Sequence, residues 1–248
     1  MWLFPLGAAL VSTAFAAQLA KQYLAKRRPH QLAWTAALSM FALATLATAE
    51  GVRGGWTPGL FRLYYLFGAL INVPFLAVGT VYLLAPRRWA HVFAALVVGA
   101  ATVGAWTLVR APLDAIALAA VRGIPESSVV IIGRAPLSRA LSRYYSYTAF
   151  AIVVLGALWS SGRLLRQRSE HLRRLATGNL MIAGGTLVVA AASIAIRLGR
   201  GSDVAALFST GLLAGITLMF LGFLRTRSRP AAAPATVPAA DGPAPATP

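Results

Sequence analysis

The stretch from Leu63 to Pro86 contains no charged residue over about 24 positions, and it constrains the fold more than any other feature of the chain. A helix rises 1.5 Å per residue, so this stretch would be about 36 Å long as a helix. That length crosses the ~30 Å hydrocarbon core of a bilayer with some tilt. The sequence therefore predicts a membrane-spanning helix here.

Composition extends this prediction to the whole chain. Of its 248 residues, 58% are hydrophobic and 12% charged, and a soluble domain carries about twice that share of charge. We predict an all-α, polytopic integral membrane protein whose seven transmembrane helices form one bundle over residues 1–225. The predicted spans are residues 2–19, 32–49, 63–84, 89–109, 145–161, 175–196 and 204–224. The first span is expected to be retained, because no positive residue precedes it as in a signal peptide.

Two segments lie outside the predicted spans. Residues 110–144 form a long and partly apolar loop, which we expect to cap the outer end of the bundle. Residues 226–248 are rich in proline and alanine, which is typical of a disordered and extended tail. We expect this tail to be cytoplasmic.

The positive residues predict the orientation. The net charge of +17 comes from arginines between apolar runs, a pattern that sets membrane topology and does not indicate nucleic-acid binding. An outside N-terminus and a cytoplasmic C-terminus place 14 of the 23 lysines and arginines inside: Lys21, Lys26, Arg27, Arg28, Arg87, Arg88, Arg163, Arg166, Arg168, Arg173, Arg174, Arg225, Arg227 and Arg229. The scarcity of lysine relative to arginine indicates a GC-rich bacterial genome. We therefore expect a multi-pass protein of the bacterial cell membrane.

The third predicted span contains an amide and a proline. Residues with alternating spacings of three and four share one helical face; here they are Arg62, Tyr65, Ala69, Asn72, Leu76 and Gly79. Asn72 should face other helices, because an amide in lipid needs a hydrogen-bond partner. Pro74 predicts a kink beside it. The favoured interpretation is a packing kink with an interhelical hydrogen bond, and the alternative is a ligand or ion site.

The sixth and seventh predicted spans each contain a polar stripe at heptad spacing. One stripe consists of Asn179, Thr186, Ser193 and Arg197, and the other of Asp203, Thr210 and Thr217. Gly211 and Gly215 form a G-x-x-x-G pattern that allows two helices to approach closely. The stripes predict a hydrogen-bonded seam between the two helices or, alternatively, the lining of a polar cavity.

The outer ends of the helices carry arginine and tyrosine, which predicts a basic, aromatic cup for an anionic ligand or, alternatively, ordinary interface anchors. The cup would hold Arg62, Tyr64, Tyr65, Arg110, Arg143, Tyr144, Tyr147 and Arg197, with Glu50 and Asp203 as counter-ions. Glu50 should lie near Arg62, because the connection between their helices is short, and Arg53, Arg110 and Arg197 are the alternative partners. The candidate ligand-binding residues are Glu50, Arg62, Tyr65, Asn72, Arg110, Arg143, Arg197 and Asp203.

No motif indicates catalysis, a cofactor or a metal. The chain has no cysteine, no H-E-x-x-H and no G-x-S-x-G, and its three histidines match no metal or haem spacing. We predict a non-catalytic membrane protein: a sensor, a receptor or a partner of a membrane complex. The alternative is a small transporter with a polar pathway near Asn72 and the last two helices. The expected partners are the lipid bilayer and either another membrane protein or an anionic ligand, with no nucleic acid.

Overall fold

The computed structural model describes residues 1–121, 123–125, 136–166, 169–198 and 202–226. Every regular element within these residues is helical. The helices are α1 (Leu3–Lys26), α2 (Pro29–Gly54), α3 (Pro58–Leu84), α4 (Arg87–Arg110), α5 (Ala115–Ala119), α6 (Pro136–Leu165), α7 (Glu170–Leu198) and α8 (Ser202–Thr226). The tail after residue 226 lies outside the described residues.

Seven of these helices are long and apolar enough to cross a membrane, and only the short α5 is not. This confirms the predicted fold class, an all-α integral membrane protein with seven spanning helices. Most of the helices extend beyond the predicted spans. For example, α2 continues to Gly54, one turn past the predicted end.

The chain alternates between the two ends of the bundle, because connections of two to four residues join most consecutive helices. We call these ends the Met1 side and the Thr226 side. The start of α1 and the end of α2 lie together on the Met1 side, where the Arg53 guanidinium is 5.7 Å from the centre of the Trp2 ring. Helix α3 begins on the same side and ends on the Thr226 side.

The predicted cap covered residues 110–144, and its described part before residue 126 packs on the turn between α2 and α3. Residues 136–144 are not loop but the first turns of α6. The Trp56 indole Nε1 donates a 2.6 Å hydrogen bond to the Gly123 carbonyl oxygen. Leu118 of α5 is buried in one cluster with Phe61. Residues 122 and 126–135 of this loop lie outside the described residues.

Helix α3 is not a regular α-helix. An α-helical turn at Pro58–Leu63 is followed by a π-helix at Tyr64–Ile71, and α-helix resumes at Asn72–Leu84. In i→i+5 pairing, the Ala69 carbonyl would face the nitrogen of residue 74, a proline without an amide hydrogen. The hydroxyls of Ser142 and Ser146 on α6 donate to this carbonyl instead, each at 2.9 Å.

The π-helix divides the predicted face of α3. Because it adds a residue to each turn, residues before and after it no longer follow one stripe. Tyr65 stacks on Phe61, with ring centres 5.9 Å apart, in a cluster that includes residues of α4 and α5. Gly79 faces α2, where the Trp34 indole occupies the space a side chain would need. The prediction of one continuous face from Arg62 to Gly79 is therefore wrong.

Helices α7 and α8 meet along two pairs of glycines. A Cβ atom added at Gly185 would lie 2.5 Å from the Gly215 carbonyl oxygen, and one added at Gly178 would lie 2.7 Å from that of Gly222. Such distances leave no room for a methyl group. The two backbones are therefore in direct contact, as the small residues of membrane helix pairs allow.

We expect Gly185→Ala to lower the free energy of unfolding by about 1–3 kcal/mol, since its methyl group would meet backbone atoms that cannot move aside. Gly184→Ala is the matched control. Its Cβ would lie 3.6 Å from a Leu218 methyl group, an ordinary contact. Thermal denaturation in detergent should show a lower Tm for Gly185→Ala only. Equal Tm values for the two variants would contradict the close contact of α7 and α8.

Candidate functional site

A cavity of about 430 Å³ lies inside the bundle, between α2, α3, α6, α7 and α8. This volume falls in the range of ligand pockets, about 300–1,000 Å³. The lining residues of α7 run from Thr186 to Ile194, which places the cavity between the middle of the bundle and the Met1 side. The lining is mostly aliphatic and aromatic, and none of the lining residues identified is charged.

Eight polar residues contribute to the lining: Thr45, Thr48, Tyr64, Asn72, Ser146, Tyr147, Thr186 and Ser193. Four of their hydroxyls donate to the carbonyl four residues earlier in the same helix, at 2.8–2.9 Å; they belong to Thr45, Thr48, Thr186 and Ser193. The Ser146 hydroxyl donates to the Ala69 carbonyl. These five hydroxyl protons are already used, so the oxygens offer lone pairs to the cavity.

Asn72 differs from these hydroxyls. Its side chain lines the cavity and the residue is only 4% exposed, as predicted for an amide that faces other helices. Its Oδ1 atom, however, accepts no hydrogen bond from the described residues. An unpaired buried acceptor lowers the free energy of unfolding by about 1–3 kcal/mol. The predicted interhelical hydrogen bond to this oxygen is thus missing from the described residues.

The irregular part of α3 forms one wall of this cavity. Tyr64, Gly68 and Ala69 belong to the π-helix, and Asn72 is the first residue after it. Single π-helical turns inside α-helices occur frequently at functional sites. Here the π-helix sets the direction of the residues that follow it, Asn72 included.

The structure gathers part of the predicted site at the cavity. Tyr64, Asn72 and Tyr147 line it together, and so do Thr186 and Ser193 from the predicted stripe of α7. Asn179, the first residue of that stripe, does not line the cavity. Its amide Nδ2 donates to the Ser160 hydroxyl of α6 at 3.1 Å.

Arg62 and Tyr65 lie elsewhere, near the end of α4. The Arg62 Nη2 atom donates a 3.3 Å hydrogen bond to the Ala111 carbonyl, at the residue that caps the C-terminus of α4. A cation is favourable there because the C-terminus of a helix carries partial negative charge. Tyr65 is buried against Phe61.

Glu50 pairs with its own helix. Its Oε1 atom lies 3.6 Å from Arg53 Nη1, and the two side chains are 50% and 61% exposed. Because α2 continues to Gly54, Arg53 is three residues further along the same face and within easy reach. Among the described residues, Glu50 therefore forms its ion pair with Arg53 and not with Arg62. An exposed pair of this kind adds at most about 1 kcal/mol to the free energy of unfolding.

The remaining cup residues whose side chains the structure describes do not line the cavity. The Arg110 guanidinium lies 4.0 Å from the centre of the exposed Trp106 ring. Arg143 and Tyr144 are exposed on α6, and Asp203 is exposed in the first turn of α8. Arg197 lies near the end of α7, and its side chain is outside the described residues. The described residues thus form an apolar cavity where the sequence predicted a basic cup.

Comparison with known family models, curated proteins and solved structures finds no match to this chain.

We expect Asn72→Leu to raise the free energy of unfolding by about 1 kcal/mol, because it removes an unpaired buried acceptor and keeps the side-chain volume. Asn179→Leu is the matched control: it removes a hydrogen bond worth about 0.6 kcal/mol and should lower stability. Thermal denaturation of both variants in one detergent compares them. A lower Tm for Asn72→Leu would mean that its amide is paired in the folded protein.

Proposed function

We propose that this chain is a non-catalytic, multi-pass membrane protein that binds a small neutral ligand in the cavity between α2, α3, α6, α7 and α8, as a sensor or receptor does. The observation that carries the proposal is the unpaired Oδ1 of Asn72, buried at the wall of a cavity of about 430 Å³. A ligand that donates a hydrogen bond to this atom would remove the cost of leaving it unpaired.

The lining supports a specific kind of ligand. An ion would lose its hydration without gaining a counter-charge, since the lining residues identified are all uncharged. Five lining hydroxyls already donate their protons to backbone carbonyls, so these oxygens can only accept hydrogen bonds from a ligand. The same is true of Asn72 Oδ1. The best-matched ligand is therefore mostly hydrocarbon and carries at least one O–H or N–H donor. The predicted anionic ligand has less support, because none of the cup arginines whose side chains are described lines the cavity.

Photolabelling in phosphatidylcholine proteoliposomes tests this proposal. The probe is a ten-carbon alcohol with a diazirine on its chain, and its methyl ether serves as the probe without a donor. We expect the alcohol to label cavity residues saturably in the wild type. Asn72→Leu should weaken this binding about 2–10-fold, the value of one hydrogen bond of 0.5–1.5 kcal/mol. The ether should bind both proteins equally.

Asn179→Leu serves as the control, because it removes an amide of the same size that does not line the cavity. Its affinity for the alcohol should match that of the wild type. Equal affinity of the wild type for alcohol and ether would contradict the role of Asn72, and unsaturable labelling of every protein would contradict a binding cavity.

A carrier is the second candidate function. It is favoured by the break in α3, where a π-helix and Pro74 flank Asn72 at the cavity wall. Interrupted helices that flank a central site are a feature of transporters. A carrier would move the alcohol between leaflets or vesicles faster than protein-free liposomes do, whereas a sensor would only bind it.

We further propose that the chain resides in a bacterial cell membrane with its N-terminus outside and its C-terminus in the cytoplasm. The Thr226 side holds most of the positive residues, including Lys26, Arg27, Arg88 and Arg174 near helix ends. Cytoplasmic loops carry such an excess of lysine and arginine. A cytoplasm-dependent fluorescent reporter fused after residue 248 should be active, and an export-dependent alkaline phosphatase should not. The reverse pattern would overturn this orientation.

A further inference from the structure

One wall of the cavity is open towards the outside of the bundle. Leu187, Ala191 and Ile194 of α7 line the cavity and are also exposed, Leu187 to 47% and Ile194 to 46%. Their spacing of four and three places them on one face of the helix. Across from them, Tyr147 of α6 lines the cavity and is 50% exposed. Residues that belong to both the inner and the outer surface mark the rim of an opening between α6 and α7.

This opening results from the way α6 and α7 pack. Near the Thr226 side the two helices are in contact, with Asn179 bonded to Ser160 and the Ser161 hydroxyl bonded to the Ala176 carbonyl at 3.3 Å. Towards the Met1 side the cavity separates them. Their described hydrogen bonds to each other all lie in the half near the Thr226 side.

The other described walls are covered. Helix α1 closes the space between α2 and α8, with Phe15 in one buried cluster with Phe41 and Phe208. Helix α7 is held to α8 by the glycine pairs, including Gly185 with Gly215. Helix α3 approaches α2 so closely that a Cβ atom at Gly68 would lie 3.3 Å from Ala44 Cβ. On its other face, α3 is bonded to α6 through the Ala69 carbonyl. The gap between α6 and α7 is therefore the side opening that the described residues leave.

The depth of the rim decides what surrounds it. Leu187 lies 11 residues before the end of α7 at Leu198, which is about 16 Å along the helix. In a ~30 Å hydrocarbon core, this position is close to the middle of the membrane. The outer surface of this part of α7 is apolar and faces acyl chains. A molecule dissolved in the bilayer would reach the cavity here without entering water.

We infer that the ligand is a neutral, membrane-dissolved amphiphile, such as a long-chain alcohol, that enters sideways between α6 and α7 and donates its hydroxyl proton to Asn72 Oδ1. This inference rests on the proposed function, because it assumes that the cavity binds a ligand. The aliphatic rim at Leu187, Ala191 and Ile194 contacts the hydrocarbon chain of the ligand, and its hydroxyl reaches the acceptor inside.

The rate of labelling tests the route. The wild type, Ala191→Trp and Leu180→Trp are reconstituted in phosphatidylcholine vesicles, mixed with vesicles that contain the ten-carbon diazirine alcohol, and illuminated after increasing delays. Ala191→Trp places an indole in the opening. Leu180→Trp places the same group on an exposed site of α7 that does not line the cavity. We expect Ala191→Trp to slow labelling of the cavity at least 10-fold, and Leu180→Trp to match the wild type.

A second variant widens the opening, so that the test does not depend on the folding of one protein. Leu187→Ala removes bulk from the rim and should speed labelling at least twofold. Equal rates for the wild type, Leu180→Trp, Ala191→Trp and Leu187→Ala would overturn sideways entry while leaving the cavity as a binding site. The absence of saturable, alcohol-selective labelling in the wild type would instead overturn the proposed function itself.

Discussion

The bundle depends on how α3 satisfies its backbone inside an apolar environment. A carbonyl that loses its amide partner in a membrane has no water to replace it. In i→i+5 pairing Pro74 would offer the Ala69 carbonyl no amide hydrogen, and two hydroxyls from α6 bond to it. This contact joins α6 to α3 next to Asn72. The irregular part of α3 that lines the cavity is therefore also the part bonded to α6.

The same requirement explains why Asn72 stands out. The Thr45 and Thr186 hydroxyls donate to backbone carbonyls of their own helices, so their burial lowers stability little. The short side chain of an asparagine carries an acceptor that the neighbouring helices do not satisfy. An unpaired amide oxygen lowers the stability of the fold, and the proposed ligand would give it a donor. If the proposal holds, stability and binding place opposite demands on this position.

The sequence was sufficient to predict the seven helices, because uncharged runs of membrane length have few alternatives. It also predicted the burial of Asn72 and indicated Thr186 and Ser193 as candidates for a cavity lining. It placed Arg62 and Asn72 on one face because ordinary helical periodicity was assumed, and the π-helix changes that periodicity. For Glu50 the sequence favoured Arg62 and gave Arg53 as an alternative, and the extra helical turn of α2 makes Arg53 the partner. The G-x-x-x-G pattern of Gly211 and Gly215 indicated the close approach of α8 to α7, which the structure confirms. The heptad spacing of Gly178 with Gly185, and of Gly215 with Gly222, was a second visible signal of this contact.

The uncharged lining of the cavity has a further consequence for how its occupancy could be controlled. The membrane potential contributes about 2.3 kcal/mol per elementary charge per 100 mV, and salt screens only charged interactions. A neutral ligand in a cavity whose identified lining residues carry no charge is affected by neither. The occupancy by the proposed ligand would follow its concentration in the bilayer, in energised and de-energised cells alike. The protein would therefore respond to the composition of the membrane and be insensitive to its voltage.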